Sequence, residues 1–142
     1  MAGRLRWWLA DTRGAAAIEF AILTPIFLLM LTGMLAYGIY FGAVHSLQQL
    51  AADAARISIA GLDENERNRL VGSFIDGHAS EYMLIDGGRL TYDFGDHPSD
   101  PSQYRVTLRY DASDLPIWNL YPPLPLPSQR IALSASIRQG GL

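Results

Sequence analysis

The apolar positions of this chain fall into one continuous block followed by short periodic stretches. From residue 20 to residue 52 there is no Asp, Glu, Lys or Arg, and residues 21–43 are almost wholly apolar. About 20 such residues cross a bilayer as a helix. A cleaved secretory signal has a shorter apolar region, of about 7–15 residues, ending at a small-residue site. The block is too long for that reading. Beyond it Val44, Leu47, Leu50, Ala51, Ala54, Ala55 and Ser58 recur at three- and four-residue steps, the spacing of one helix face. The pattern predicts one helix from about Ala15 to Ala60, roughly 70 Å long, of which about 30 Å lies in hydrocarbon and the remainder projects as a stem.

After Gly61 the periodicity changes. Asp63 followed three residues later by Glu66 is a capping-box-like start. The helix it opens carries Leu70, Val71, Phe74, Ile75, Ala79, Tyr82 and Met83 on its apolar face, beside His78, until Asp86-Gly87-Gly88 turns the chain. Three extended segments follow, over residues 90–94, 104–110 and 130–138. Tyr104, Val106, Leu108 and Tyr110 alternate in the second, and Ile131, Leu133, Ala135 and Ile137 in the third. The expected fold is α+β: a long N-terminal transmembrane and stem helix, packed with a second helix against a small antiparallel sheet. The opposite sheet face should carry Arg105, Thr107, Arg109, Ser134 and Ser136. The chain divides into a basic leader (1–14), the transmembrane and stem helix (15–60) and a small outer domain (61–142). Residues 115–127 join the last two strands with too many prolines for a helix or a central strand, yet they are apolar. Trp118 and Tyr121 make this either a cover for the core or a loop that meets a partner. Cover is favoured, because a small domain needs every buried side chain it can gather.

Charge orients the anchor and narrows the chemistry. The formal net charge is −3, but Arg4, Arg6 and Arg13 face only Asp11 before the apolar block. The positive-inside rule then puts the N-terminus in the cytoplasm and the rest beyond the inner membrane, with Tyr37, Tyr40 and Phe41 suited to the far interface. No basic face of the kind that tracks phosphates is visible, so a nucleic-acid partner is not expected. There is no Lys, which excludes Schiff-base and P-loop lysine chemistry, and no Cys, which excludes disulfides and thiolate metal sites. His45, His78 and His97 are scattered. Asp93, Asp96, His97 and Asp100 lack EF-hand spacing and, beside Pro98 and Pro101, read as a solvated loop. No catalytic residue, metal or cofactor is expected, and the chain is not read as an enzyme. Gly38 and Gly42, with Ser46 next on the ridge, form a small-xxx-small pattern that lets helices approach closely. Pro25 cannot donate an N–H and loosens the anchor near its start.

Glu19 sits one turn into the apolar helix, where a carboxylate needs a reason. Gly14 lies five positions before it, at the end of the basic leader, and Phe20 follows it directly. Gly14-Ala15-Ala16-Ala17-Ile18-Glu19-Phe20 resembles the processing site of type IV prepilins. Cleavage after Gly14 would leave an ammonium on Ala15, one helical turn from Glu19, where opposite charges pair. A carboxylate near a helix N-terminus is also favoured by the helix dipole. The run continuing to Pro25, the stem ending Ala54-Ala55-Arg56, and the proline-rich segment before the last strand are together similar to TadE-like pseudopilins of the Tad pilus. Ala15 stands where major type IV pilins commonly place Phe, which favours a minor subunit. The resemblance implies a pilin-like arrangement and cleavage by a prepilin peptidase. It also implies partnership with the major pilin, other minor pilins and the pilus assembly platform. The implied role is initiation or assembly of a pilus that serves surface attachment. The alternative is an uncleaved, single-pass envelope binding module.

Overall fold

The computed structural model describes residues 12–120 and 124–139; the leader arginines Arg4 and Arg6 and the loop residue Tyr121 lie outside them. Helix α1 spans Thr12–Ile57 and ends in a 3-10 turn, Ser58–Ala60. Helix α2 spans Glu64–His78, and three strands follow: β1 (Leu90–His97), β2 (Asp100–Asp111) and β3 (Arg130–Arg138). They form an antiparallel meander in the order β1-β2-β3. The class is α+β, as the sequence predicts. The chain divides into two compact units at Leu35, so α1 contributes to both.

In the first unit the described part of α1 is apolar and uncovered. Its most apolar window has a mean hydropathy of 2.1 with none of it buried, long and apolar enough to cross a membrane. Phe20 is 72% exposed and Met34 66%. Such a surface is unfavourable in water and ordinary in lipid. Two threonine hydroxyls within this stretch are satisfied locally. Thr24 Oγ1 donates to the Phe20 carbonyl at 2.6 Å and Thr32 Oγ1 to the Leu28 carbonyl at 2.8 Å, the back-bonding that removes a free hydroxyl from an apolar medium. Pro25 stays inside the continuous helix.

The second unit has a single core. Ala43, Leu47, Leu50, Ala51, Ala54 and Ala55 of α1 are buried with Val71 and Ile75 of α2 and with Tyr104, Val106 and Leu108 of β2. The alanines on α1 let neighbouring elements approach its backbone, and the two leucines fill the spaces between. Helix α2 starts where its cap dictates: the Asp63 carboxylate accepts from the Glu66 N–H at 2.8 Å, and Glu66 accepts in return from the Leu62 N–H at 2.9 Å. Strand β3 pairs Ile137 with Tyr104, Ala135 with Val106 and Leu133 with Leu108, which keeps one face apolar.

Two expectations are corrected. Strand β1 runs three residues further than the alternation suggested, to His97, so Asp93, Asp96 and Asp100 sit on a hairpin rather than in an open loop. Cross-strand pairing of Gly95 with Arg105 and Asp96 with Tyr104 outweighs the weak strand propensity of those residues. Met83 is 72% exposed and not on the α2 face, because the helix ends at His78 and Leu84 turns the chain with φ 65°.

Gly61 carries a stability prediction. Its φ of −81° is open to any residue, but a Cβ there would lie 2.6 Å from Arg67 Cγ and 2.7 Å from the Arg67 backbone nitrogen. Gly61→Ala must therefore displace the start of α2. It is expected to destabilise the second unit by about 1–3 kcal/mol, as overpacking does, measured by denaturant unfolding of the detergent-solubilised chain.

Candidate functional site

The residues singled out by sequence lie in three places. Gly14, Ala15, Glu19 and Phe20 are on the exposed surface of α1. Ala15 and Glu19 are one helical turn apart, so a positive charge on residue 15 and the Glu19 carboxylate share a face. Gly14 is itself helical, and open space surrounds the position of a Cβ there. Glycine lowers helix stability by about 1 kcal/mol relative to alanine, which weakens the turn before Ala15.

Gly38 and Gly42 have different surroundings. Gly38 is exposed, with nothing within 4 Å of a would-be Cβ, whereas a Cβ on Gly42 would lie 3.2 Å from Leu84 Cδ1. Ser46, next on the ridge, is buried. The small-residue ridge thus accommodates the chain's own segment at Leu84, and only its Gly38 end is open.

Trp118 is half-buried within the second unit. Its Nε1 donates to the Ala112 carbonyl at 2.7 Å, and its ring meets Tyr40 edge-on at 6.5 Å. Leu115 and Ile117 are buried beside it, and Leu124 and Leu126 pack on the core. The described part of this apolar segment covers the core.

Sequence reasoning missed what holds that cover. Tyr37 donates its hydroxyl to the Pro125 carbonyl, and Tyr40 donates to the Ser128 carbonyl at 3.4 Å. These are two of the aromatics expected at a membrane interface. One turn apart on α1, they tether a segment some 88 residues away in the chain. Only the alternation of apolar and proline residues in 115–127 hinted that the segment needed a support.

Four further tyrosines lock the second unit. Tyr82 donates to Asp53 Oδ2 on α1 at 2.9 Å, Tyr92 to Asp76 Oδ1 on α2 at 2.7 Å, and Tyr104 to Asn68 Oδ1 on α2 at 2.7 Å. The Tyr110 hydroxyl accepts from the Asp86 N–H at 3.2 Å. Burial first, then the Asp53 hydrogen bond and charge, push the Tyr82 hydroxyl up to about 12 from 10. Burial likewise takes Tyr104 to about 12 against the opposing charge of Arg67. A phenol whose folded value is raised stabilises the fold fully below its unfolded value of 10, and that contribution is lost as pH rises through the folded value. The thermal midpoint is therefore expected to hold below about pH 10 and to fall between about pH 10 and 12, with a shallower fall in Tyr82→Phe. Melting curves across this range, with tyrosinate absorbance recorded in parallel, test it.

Asp96 accepts from Gln139 Nε2 at 2.8 Å, and the turn beyond it is held by local bonds. His97 Nδ1 accepts from the Ser99 N–H at 3.2 Å, and Asp100 accepts from the Ser102 hydroxyl at 2.6 Å and the Gln103 amide at 2.7 Å. Those bonds, Ser102 foremost, hold the Asp100 carboxyl below its ordinary value. They close a tight turn.

Residues 14–56 match the family model TadE, described as TadE-like protein. No curated protein and no solved structure gives a match. The matched segment begins at the glycine that precedes Ala15 and ends at Arg56, and it takes in the apolar helix and the buried stem face. Over residues 14–56, less than half of its length, the chain is similar to TadE-like proteins.

Proposed function

We propose that this chain is a minor pilin-like subunit of a Tad pilus, made as a precursor, cleaved after Gly14 by a prepilin peptidase, and used in initiation or assembly of the filament. The observation that carries this reading is the coincidence at one end of α1. Gly14, Glu19 and an apolar helix without covering side chains lie in the segment that matches the TadE-like family. In the mature chain the Ala15 ammonium and the Glu19 carboxylate would pair within one helix or between neighbouring helices. In a low-dielectric bundle such pairing favours one axial register. The basic leader places the N-terminus in the cytoplasm and the second unit on the far side of the inner membrane. The role is assembly, not catalysis, with the major pilin, other minor pilins and the assembly platform as partners.

The alternative is an uncleaved, membrane-anchored envelope module that meets its partner through the Trp118 loop; the contacts of Trp118 with Ala112 and Tyr40 of its own chain support the first reading.

Deleting the gene is expected to abolish or sharply reduce surface pili while the major pilin is still made and processed. Electron microscopy of pili beside immunoblots of the major pilin, with complementation by the intact gene, measures both. Pili of normal number and length in the deletion strain, with no related subunit substituting, would remove the assembly role.

A further inference from the structure

The outer face of the sheet gathers arginines in an otherwise acidic unit. After Gly61, acidic residues outnumber arginines eleven to seven. Four of those arginines nevertheless share this face: Arg105 and Arg109 on β2, and Arg130 and Arg138 on β3. The carboxylates on the same face are Asp93 and Asp111. Asp111 lies 3.9 Å from Arg89 and is paired in register with Arg130. Among the described residues, neither Arg105 nor Arg109 has a carboxylate within 4 Å.

The surroundings of these two guanidinium groups are small and hydroxylated. Thr107 lies between them, its Oγ1 3.0 Å from Ser134 Oγ, and Ala132 and Ser136 flank them on β3. Small neighbours leave depressions on either side of Arg109. One, of about 370 Å³, lies between Arg89, Arg109, Arg130 and Asp111. The other, of about 260 Å³, lies between Arg105, Arg109, Asp93 and Asp96. Arg105 and Arg109 are four residues apart on one strand, so their backbones stand about 13 Å apart along it.

We propose that this face is a binding site for an acidic polysaccharide, with Arg105 and Arg109 pairing the carboxylates of non-adjacent uronates on one chain and the Thr107–Ser134 hydroxyls meeting the sugar hydroxyls between them. The chemistry selects this class among polyanions. Guanidinium forks match carboxylates in bidentate geometry, and Ser and Thr hydroxyls both donate and accept, as sugar hydroxyls require. Single-stranded nucleic acid needs aromatic platforms for its bases, and Tyr92, Phe94, Tyr104 and Tyr110 all pack on or toward the core on the other face. A protein partner is held chiefly by a buried aromatic or aliphatic anchor, and the central strand offers only the polar side chains of Gln103, Arg105, Thr107, Arg109 and Asp111 outward.

The test uses the full chain in detergent micelles, with binding to immobilised polygalacturonate, neutral dextran and duplex DNA measured at matched ionic strength. Binding to polygalacturonate is expected to be salt-sensitive and stronger than to either comparator. The double variant Arg105→Ser/Arg109→Ser should weaken it by at least about tenfold, equivalent to about 1.4 kcal/mol. Arg56→Ser, on the stem, should leave it unchanged. Because the double variant could disturb the sheet, Arg105→Lys/Arg109→Lys provides a second measure: it keeps the charges, loses the forks, and should bind between the other two. Equal binding to dextran and polygalacturonate, equal or tighter binding to DNA, or full binding by the folded double Ser variant would each overturn the proposal.

Discussion

Truncating Leu47 to alanine is expected to destabilise the second unit by about 2–5 kcal/mol. Leu47 is fully buried, and it belongs to the cluster that joins α1 to α2 and β2. Its neighbours on the same face include Ala43, Ala51 and Ala54, which have no longer side chain to swing into the space. The cavity therefore stays largely open, and the cost should lie above simple transfer of the lost methyl groups. Leu31→Ala is the comparison. Leu31 is 51% exposed and belongs to the first unit, so its loss should leave the stability of the second unit unchanged. Native-state hydrogen exchange at the β2 amides of both variants, in the same detergent, reads the difference. Equal protection in the two variants would mean that the stem face does not anchor the outer fold.

A second large effect is expected at Glu19. Glu19→Ala should insert in the membrane as well as the unaltered chain or better, because a carboxylate in an apolar helix opposes insertion by up to about 2.5–3.5 kcal/mol. Assembly should nevertheless fail. Removing the carboxylate leaves the Ala15 ammonium of the mature chain, or that of a neighbouring subunit, without its counter-charge in a medium where an unpaired charge is costly. Glu19→Gln, which keeps the shape and loses the charge, should fail similarly. Membrane fractionation, cross-linking to pilin partners and pilus counts separate the two effects. Normal cross-linking and normal piliation in both variants would show that Glu19 has no pairing role.

Much of the fold was legible because its patterns are local. The α1 stem face was written at three- and four-residue steps, the α2 start by Asp63 and Glu66, and β3 by alternation across residues 130–138. Long-range partners were not legible. Tyr37 and Tyr40 read as interface aromatics, since nothing local to α1 shows that their hydroxyls reach Pro125 and Ser128. Gly42 read as a helix-packing residue, while the neighbour it admits, Leu84, comes from a segment whose positive φ no propensity anticipates. The end of β1 was misplaced because Gly95, Asp96 and His97 have poor strand propensity, and only pairing with β2 holds them extended. The arginine-bearing sheet face was partly visible as alternating residues. Its contrast with an otherwise acidic unit emerged only when the register set β2 beside β3.

The central claim is tested most directly by the N-terminus of the native protein. Mass spectrometry of the chain extracted from membranes of cells with an active prepilin peptidase should find Ala15 as the first residue, and a Gly14 variant that resists cleavage should retain the leader. An intact leader on the native chain in those cells would contradict the account.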